Sequence, residues 1–234
     1  MVTAIVVSGG NGSRTGQAVP KQYLTVNDIP VVAYTLMNLQ KVPEIDKIVV
    51  VVAEGWGNFV YAYATQFGIS KLDKVVIGGT TRNESIYKGL CSLKDDGVTE
   101  KICIVDANRP MIPQWVFAEN ISMADSCDIA VAAESCYDSM FFSEEREYAD
   151  KHIERSKLFK GLAPECASLN TLLKIYEDEA SRLDTKLSTS GLAIGKGMHV
   201  RLTKGHIKCF KITTADDFEL FKAYLAAETI QNLI

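Results

Sequence analysis

The sequence predicts an α/β fold: a three-layer α/β/α sandwich around a mostly parallel central sheet. Three observations carry this. Short, nearly continuous apolar runs rich in β-branched residues recur at 4–7, 47–53, 74–77, 101–105 and 128–133. Runs of that kind mark strands buried on both faces. Helix-like segments separate them, at 30–40, 55–67, 82–93 and 113–126, and such alternation is how a parallel sheet covered by helices reads. A glycine-rich loop follows the first run directly, where open α/β sheets hold their ligands.

Taken in order, the first strand stops at Ser8. The loop after it contains Gly9, Gly10, Gly12 and Gly16, with Arg14 inside it and Lys21 just beyond. Pro30 and Pro113 open their helices, where a missing N–H costs nothing. From 136 to 162 the chain turns polar and charged, with CYDSMFF and EEREYADK, and reads as a protruding β-arm. A helix over 168–180 follows, with Ser168 as its N-cap. Next come a loop over 188–197, strands at 199–202 and 208–212, and a final helix opening on TTADDFELF. Thr214 caps that helix, and its acids suit the positive end of the dipole. No repeat and no low-complexity linker interrupts the chain. One domain over 1–234 with an arm around 136–162 is the expectation.

At 234 residues the length suits one sizeable α/β domain. The net charge is −4 without a basic block, so no bulk nucleic-acid surface is indicated. A local cationic pocket remains compatible with that balance. No apolar run approaches the ~18 residues of a membrane span, and no signal peptide is expected at the opening residues. The expectation is a cytoplasmic protein. The six cysteines show no C-x-x-C spacing, and the three histidines form no ligand pattern. The cysteines read as reduced, buried, small apolar residues.

The opening loop carries the chemistry. Glycines let a backbone approach a phosphate closely, and successive free N–H groups form an anion-binding concavity. A Walker A loop is excluded, because Gly16 is followed by Gln17. A dinucleotide fingerprint fits poorly: Thr15 stands where the third glycine belongs. Glu54, closing the second strand, lies about twice as far on as the usual ~20 residues. The remaining signal is positive charge, from Arg14 and Lys21. Fixed cations stabilise the charge that builds on phosphoryl oxygens during attack on an α-phosphate. The competing reading is a glycine turn with two solvated cations.

SGGNGSRTG…PKQYL resembles the G-x-G-x-R-x-G…P-K-Q signature of the cytidylyltransferases that act on polyol phosphates. That family includes 2-C-methyl-D-erythritol 4-phosphate and ribitol-5-phosphate cytidylyltransferases. GGTTRNESIYKGL (78–90) is similar to its G-G-x-x-R-x-x-S-V-x-x-G-L, and VDANRP (105–110) to its D-A-A-R-P segment. RSKLF (155–159) resembles the R-x-x-L-W of the family's arm, and FKITTADDFELFKAYL (210–225) its closing K-I-T segment. The resemblance spans almost the whole chain, and it implies a Rossmann-like nucleotidyltransferase fold.

By that resemblance Arg14, Lys21 and Lys211 match catalytic cations around the triphosphate. Asp106 matches a carboxylate that holds Mg²⁺, with CTP as substrate; its other reading is a turn Asp. Ser8, Gly9, Gly10, Gly12, Gly78, Gly79 and Ser85 match nucleotide-binding positions, Ser85 being otherwise an intrahelical hydroxyl. Arg155 and Asp138 match acceptor-binding positions on an arm that pairs two subunits into a homodimer. Without the resemblance, Lys211 reads as an edge-strand lysine. Arg109 reads as a structural residue of the D-A-N-R-P turn.

The acceptor half departs from the pattern. The D-T-x-K segment reads D-S-M-F, with Phe141 near the lysine, and Q-T-P-Q reads L-A-P-E, with Ala163 for Thr. The T-D-E-A segment becomes STSGLAIG, the Asn before K-I-T falls at Cys209, and the first-strand Ala is Ser8. The expected activity is transfer of CMP from CTP to a polyol or sugar phosphate, with release of pyrophosphate. The partners are then small molecules and a second copy of the chain, with neither nucleic acid nor membrane. The alternatives are a nucleotide-binding regulatory protein that lost acceptor chemistry, and a nucleotidyltransferase using another base or acceptor. An NAD-dependent oxidoreductase is the remotest.

Overall fold

The computed structural model describes residues 1–10, 19–178 and 185–231. Its first half contains β1 (Val2–Ser8), β2 (Thr25–Val26), β3 (Ile29–Pro30), α1 (Val31–Gln40), β4 (Lys47–Val52), α2 (Gly57–Gln66), β5 (Leu72–Ile77), α3 (Arg82–Cys91), β6 (Lys101–Asp106) and α4 (Gln114–Met123). Then follow β7 (Ile129–Ser135), β8 (Met140–Phe142), β9 (Lys151–Ile153), β10 (Phe159–Ser168), α5 (Leu169–Asp178), α6 (Thr189–Gly195), β11 (Val200–Lys204) and α7 (Ala215–Gln231).

Seven strands form the central sheet in the order β11-β7-β10-β6-β1-β4-β5. All neighbours are parallel except β10, which runs antiparallel to both β6 and β7. Side chains alternate across the central strands. Ala4, Val6, Val50, Cys103 and Val105 pack against α1, α2 and α4 on one face. Ile5, Val49, Val51, Ile102 and Ile104 pack against α3, α5 and α6 on the other. Both faces are dry, which is why these strands read as continuous apolar runs. A smaller cluster of Val26, Val31, Met111, Phe210, Ile212 and Phe221 seats α7 beside the end of β6.

Local signals set the helix starts. Pro30 and Pro113 hold extended backbone at the N-cap, one residue before the first helical turn. Thr81 Oγ1 caps α3 by accepting from Glu84 N at 3.1 Å. Ser168 Oγ accepts from Thr171 N at 3.0 Å at the start of α5. At α7, Thr214 Oγ1 accepts from Asp217 N at 3.2 Å while Asp217 Oδ2 accepts from Thr214 N at 2.8 Å. That reciprocal pair is a capping box.

Three expectations require correction. Residues 159–168 form β10, so the last residues of the expected arm belong to the main sheet. The 188–197 loop contains α6, capped by Ser188 Oγ accepting from Gly191 N at 3.1 Å. Residues 208–212 form no strand: a single 3-10 turn, Ile207–Cys209, leads into irregular chain. Its backbone groups bond to the turn after β6 instead of to a strand, with Ile212 N donating to Asn108 O at 3.0 Å. Lys211 is therefore no edge-strand lysine. Of the arm, β8 and β9 form a separate antiparallel pair. No helix among the described residues is long and apolar enough to cross a membrane.

Candidate active site

The carboxyl ends of β1, β5 and β6 bring three loops together, and the residues there follow from the strands that deliver them. Ser8 closes β1 and is buried. Its Oγ donates to Tyr23 Oη at 3.2 Å. Gln22, also buried, reaches back to the same loop, and its Nε2 donates to Ser8 O at 2.8 Å and to Gly10 O at 2.9 Å. Two consecutive residues of the PKQYL segment thus hold the chain leaving β1, Gln22 through the backbone carbonyls of Ser8 and Gly10 and Tyr23 through the Ser8 side chain. Tyr23 stacks on Trp56 with ring centroids 3.7 Å apart, and burial pushes its phenol up to about 12.

Gly9 and Gly78 converge on Ser85 from two strand ends. A Cβ on Gly9 would lie 2.9 Å from Ser85 Oγ, and one on Gly78 would lie 2.7 Å from it. Neither position has room for a side chain, which is why glycine stands at both. The Ser85 hydroxyl donates to Thr81 O at 2.9 Å and accepts from Gly79 N at 3.1 Å. Its proton is thereby engaged within the loop. Gly10 differs: a Cβ there would meet nothing within 4 Å.

Asp106 ends β6 and is 6% exposed. Its Oδ1 receives Arg82 Nε at 3.0 Å and Lys211 Nζ at 3.1 Å. Its Oδ2 receives Arg109 Nε at 3.1 Å. Three cations from α3, from the turn after β6 and from the chain before α7 therefore close on one carboxylate. Burial opposes its charge, but Arg82, Lys211 and Arg109 together outweigh that and hold Asp106 far below the usual carboxylate range. Burial lowers Lys211, and the Arg82 and Arg109 charges add to that; Asp106 opposes them. The surrounding turn is tied down on every side. Thr35 Oγ1 of α1 donates to Ala107 O at 2.7 Å, and Arg109 Nη1 donates to Cys209 O.

The structure places the sequence-selected residues unevenly. Asp106 and Lys211 meet, and Ser85 meets Gly9, Gly78 and Gly79. Lys21 is half-buried at the start of a 3-10 turn. Gly12 and Arg14 lie outside the described residues, as does Gly16. Arg155 and Asp138 are exposed in the arm, where Arg155 Nη1 donates to Tyr137 O. Among the described residues no hydrogen bond or ion pair links those two to the Asp106 cluster.

Two participants went unselected in the sequence. Arg82 sits in the G-G-x-x-R motif, 24 residues before the Asp106 it contacts. Glu165 is buried on β10, and its Oε2 lies 3.8 Å from Arg82 Nη2. A signal for it exists: it is the lone charge in GLAPECAS (161–168). All six cysteines are free thiols.

A model of the 2-C-methyl-D-erythritol 4-phosphate cytidylyltransferase family matches residues 2–227. A ribitol-5-phosphate cytidylyltransferase of Lacticaseibacillus paracasei is 32% identical over 229 residues, covering 96% of this chain and 98% of that one. A 2-C-methyl-D-erythritol 4-phosphate cytidylyltransferase of Desulforamulus reducens is 31% identical over 225 residues, covering 96% and 95%. The crystal structure of 4-diphosphocytidyl-2C-methyl-D-erythritol synthase from Anaerococcus prevotii superposes with a TM-score of 0.83 at 22% identity, covering 96% of each chain. That last likeness concerns the fold alone. With the family match running through β1, the Asp106 turn and Lys211, the chain belongs to the 2-C-methyl-D-erythritol 4-phosphate cytidylyltransferase family, whose members are nucleotidyltransferases.

Proposed function

We propose that this chain transfers CMP from CTP to a polyol phosphate, ribitol 5-phosphate first among the candidates, and releases pyrophosphate. The observation that carries this is the three-cation grip on Asp106 beside the Ser8–Gly10 loop. An acceptor phosphate oxygen attacks the α-phosphorus in line, and the bond to pyrophosphate breaks. That oxygen is ionised at neutral pH, so positioning and charge stabilisation supply most of the rate. Lys21 and Lys211 bring fixed positive charge to the phosphoryl oxygens, with Arg14 assigned the same role. The Ser8–Gly10 and Gly78–Gly79 backbones, with Ser85 behind them, form the nucleoside side.

Asp106 fits a role in holding Mg²⁺. Among the described residues no three His, Cys, Asp or Glu side chains converge into a metal cage. Mg²⁺ needs only one or two carboxylates when phosphates complete its shell. A carboxylate offers about four lone-pair positions, and Asp106 gives three to its cations. Mg²⁺ bound there supplies Lewis-acid polarisation of the phosphoryl oxygens. Three neighbouring cations disfavour a bare divalent ion, so Asp106 would hold the metal only alongside a bound triphosphate.

The acceptor phosphate is assigned to Arg155, whose planar fork suits a phosphate dianion, with Asp138 directly after Arg155's hydrogen-bond partner Tyr137. The arm also presents Tyr137, Phe141, Phe142 and Tyr148 to solvent, which supports a homodimer joined through it. The working compartment is the cytoplasm. The test is direct: incubate the protein with CTP, Mg²⁺ and either ribitol 5-phosphate or 2-C-methyl-D-erythritol 4-phosphate, and measure pyrophosphate. Turnover with ribitol 5-phosphate is expected. CTP binding without turnover on any polyol phosphate would favour the regulatory reading, for which the drifted acceptor half is the specific observation.

A further inference from the structure

Glu165 has no part in the chemistry above, yet its position is closely determined. It pairs across the sheet with Ile104, two residues before Asp106, so both carboxylates point from the same face. Its Oε1 accepts from Ser190 N at 2.9 Å and from Ser190 Oγ at 2.7 Å. Those two bonds from the start of α6 fix the carboxylate. Its Oε2 faces Arg82 Nη2 at 3.8 Å, while Arg82 Nε holds Asp106 Oδ1 at 3.0 Å. Arg82 is thus suspended between two buried acids. The cluster sums three cations against two carboxylates. Without Glu165, Asp106 alone would face all three, and any divalent cation would meet two units of excess positive charge instead of one.

We infer that Glu165 is a positioning residue: it holds Arg82 between the two carboxylates and so lowers the excess positive charge that Mg²⁺ and the triphosphate meet at Asp106. The inference rests on the cytidylyltransferase reading above. Glu165 touches neither phosphate nor metal in this assignment and acts through Arg82. The stretch that carries it reads L-A-P-E where the resemblance has Q-T-P-Q.

Glu165→Gln tests it in the full-length protein. The amide oxygen still accepts from Ser190, while the charge facing Arg82 disappears. Two readings are taken: the Kd for CTP in the presence of a chelator, by calorimetry, and the Mg²⁺ concentration giving half-maximal turnover. A more positive pocket binds metal-free CTP about five-fold tighter and needs about five-fold more Mg²⁺. Those opposed shifts are the expected result, and Glu165→Asp, which restores the charge one methylene short, reverses both toward wild type. Arg82→Gln shifts both readings the other way and serves if Glu165→Gln does not fold. A purely structural role for Glu165 weakens CTP binding and turnover together, without opposed shifts. That result, or two unchanged readings beside a wild type that binds CTP, overturns this inference alone. A wild type that binds no CTP overturns the nucleotide reading and this inference with it.

Discussion

Asn108 and Ile212 exchange two hydrogen bonds across 104 residues of sequence: Asn108 Nδ2 donates to Ile212 O, and Ile212 N donates to Asn108 O at 3.0 Å. This clasp sets Lys211 over Asp106. Both residues are buried, so breaking it leaves unpaired backbone groups out of water.

Asn108→Ala is therefore expected to cost about 1–3 kcal/mol of stability and to lower turnover, because the chain before α7 loses its fixed path past Asp106. Chemical denaturation and a turnover assay check both. An unchanged midpoint with normal kcat would mean that Arg109 and the apolar packing of Ile212 hold the segment unaided.

Legibility differed by region for physical reasons. β1, β4 and β6 were plain in the sequence because both faces are dry, leaving uninterrupted apolar runs. β10 was not: it carries Gly161, Pro164 and the buried Glu165, and its pairing with β7 is irregular between Gly161 and Glu165. α6 leaves little trace in the sequence because it is seven residues long and includes Gly191 and Gly195. The 208–212 run has strand composition, but its backbone groups are taken by Asn108 and Arg109. In the site, the loop and its cations were readable from local motifs. The Arg82–Glu165 contact joins elements 83 residues apart, and no local pattern announces it.

Lys21→Ala and Lys211→Ala are each expected to lower turnover by about two orders of magnitude. Lys211 contacts Asp106 directly at 3.1 Å, so its removal also loosens the carboxylate. A Lys211→Ala variant with kcat within a few-fold of wild type would count against a cation acting at the phosphorus. Thermal denaturation of each variant separates lost chemistry from lost fold.

Arg155→Ala is expected to raise the KM for the polyol phosphate more than the KM for CTP. Arg155 is exposed in the arm, and its bond to Tyr137 O stays within the arm. The fold therefore has little to lose from the change. Steady-state kinetics with each substrate varied in turn gives the split. Equal effects on both constants would remove Arg155 from the acceptor side.

Tyr23 makes alkaline stability a probe of the loop after β1. Burial is the main cause that raises its phenol from an ordinary value near 10 to about 12, with the Ser8 hydroxyl opposing and Tyr63 adding slightly. Because folding raises the value, the fold favours the protonated phenol. That contribution is complete below pH 10 and is lost as pH rises through 12, a fall of roughly 2–3 kcal/mol. Tyr23→Phe keeps an aromatic ring against Trp56 and removes the ionisable group, so its stability should decline less steeply over that window. Lysine deprotonation is common to both proteins and cancels in the difference. Denaturation midpoints measured between pH 9 and 12 decide the matter, with phenolate absorbance as a second reading. Parallel curves for wild type and variant would mean that the Ser8–Tyr23 contact opens before the phenol titrates, and that Gln22 alone fixes the backbone at Ser8 and Gly10.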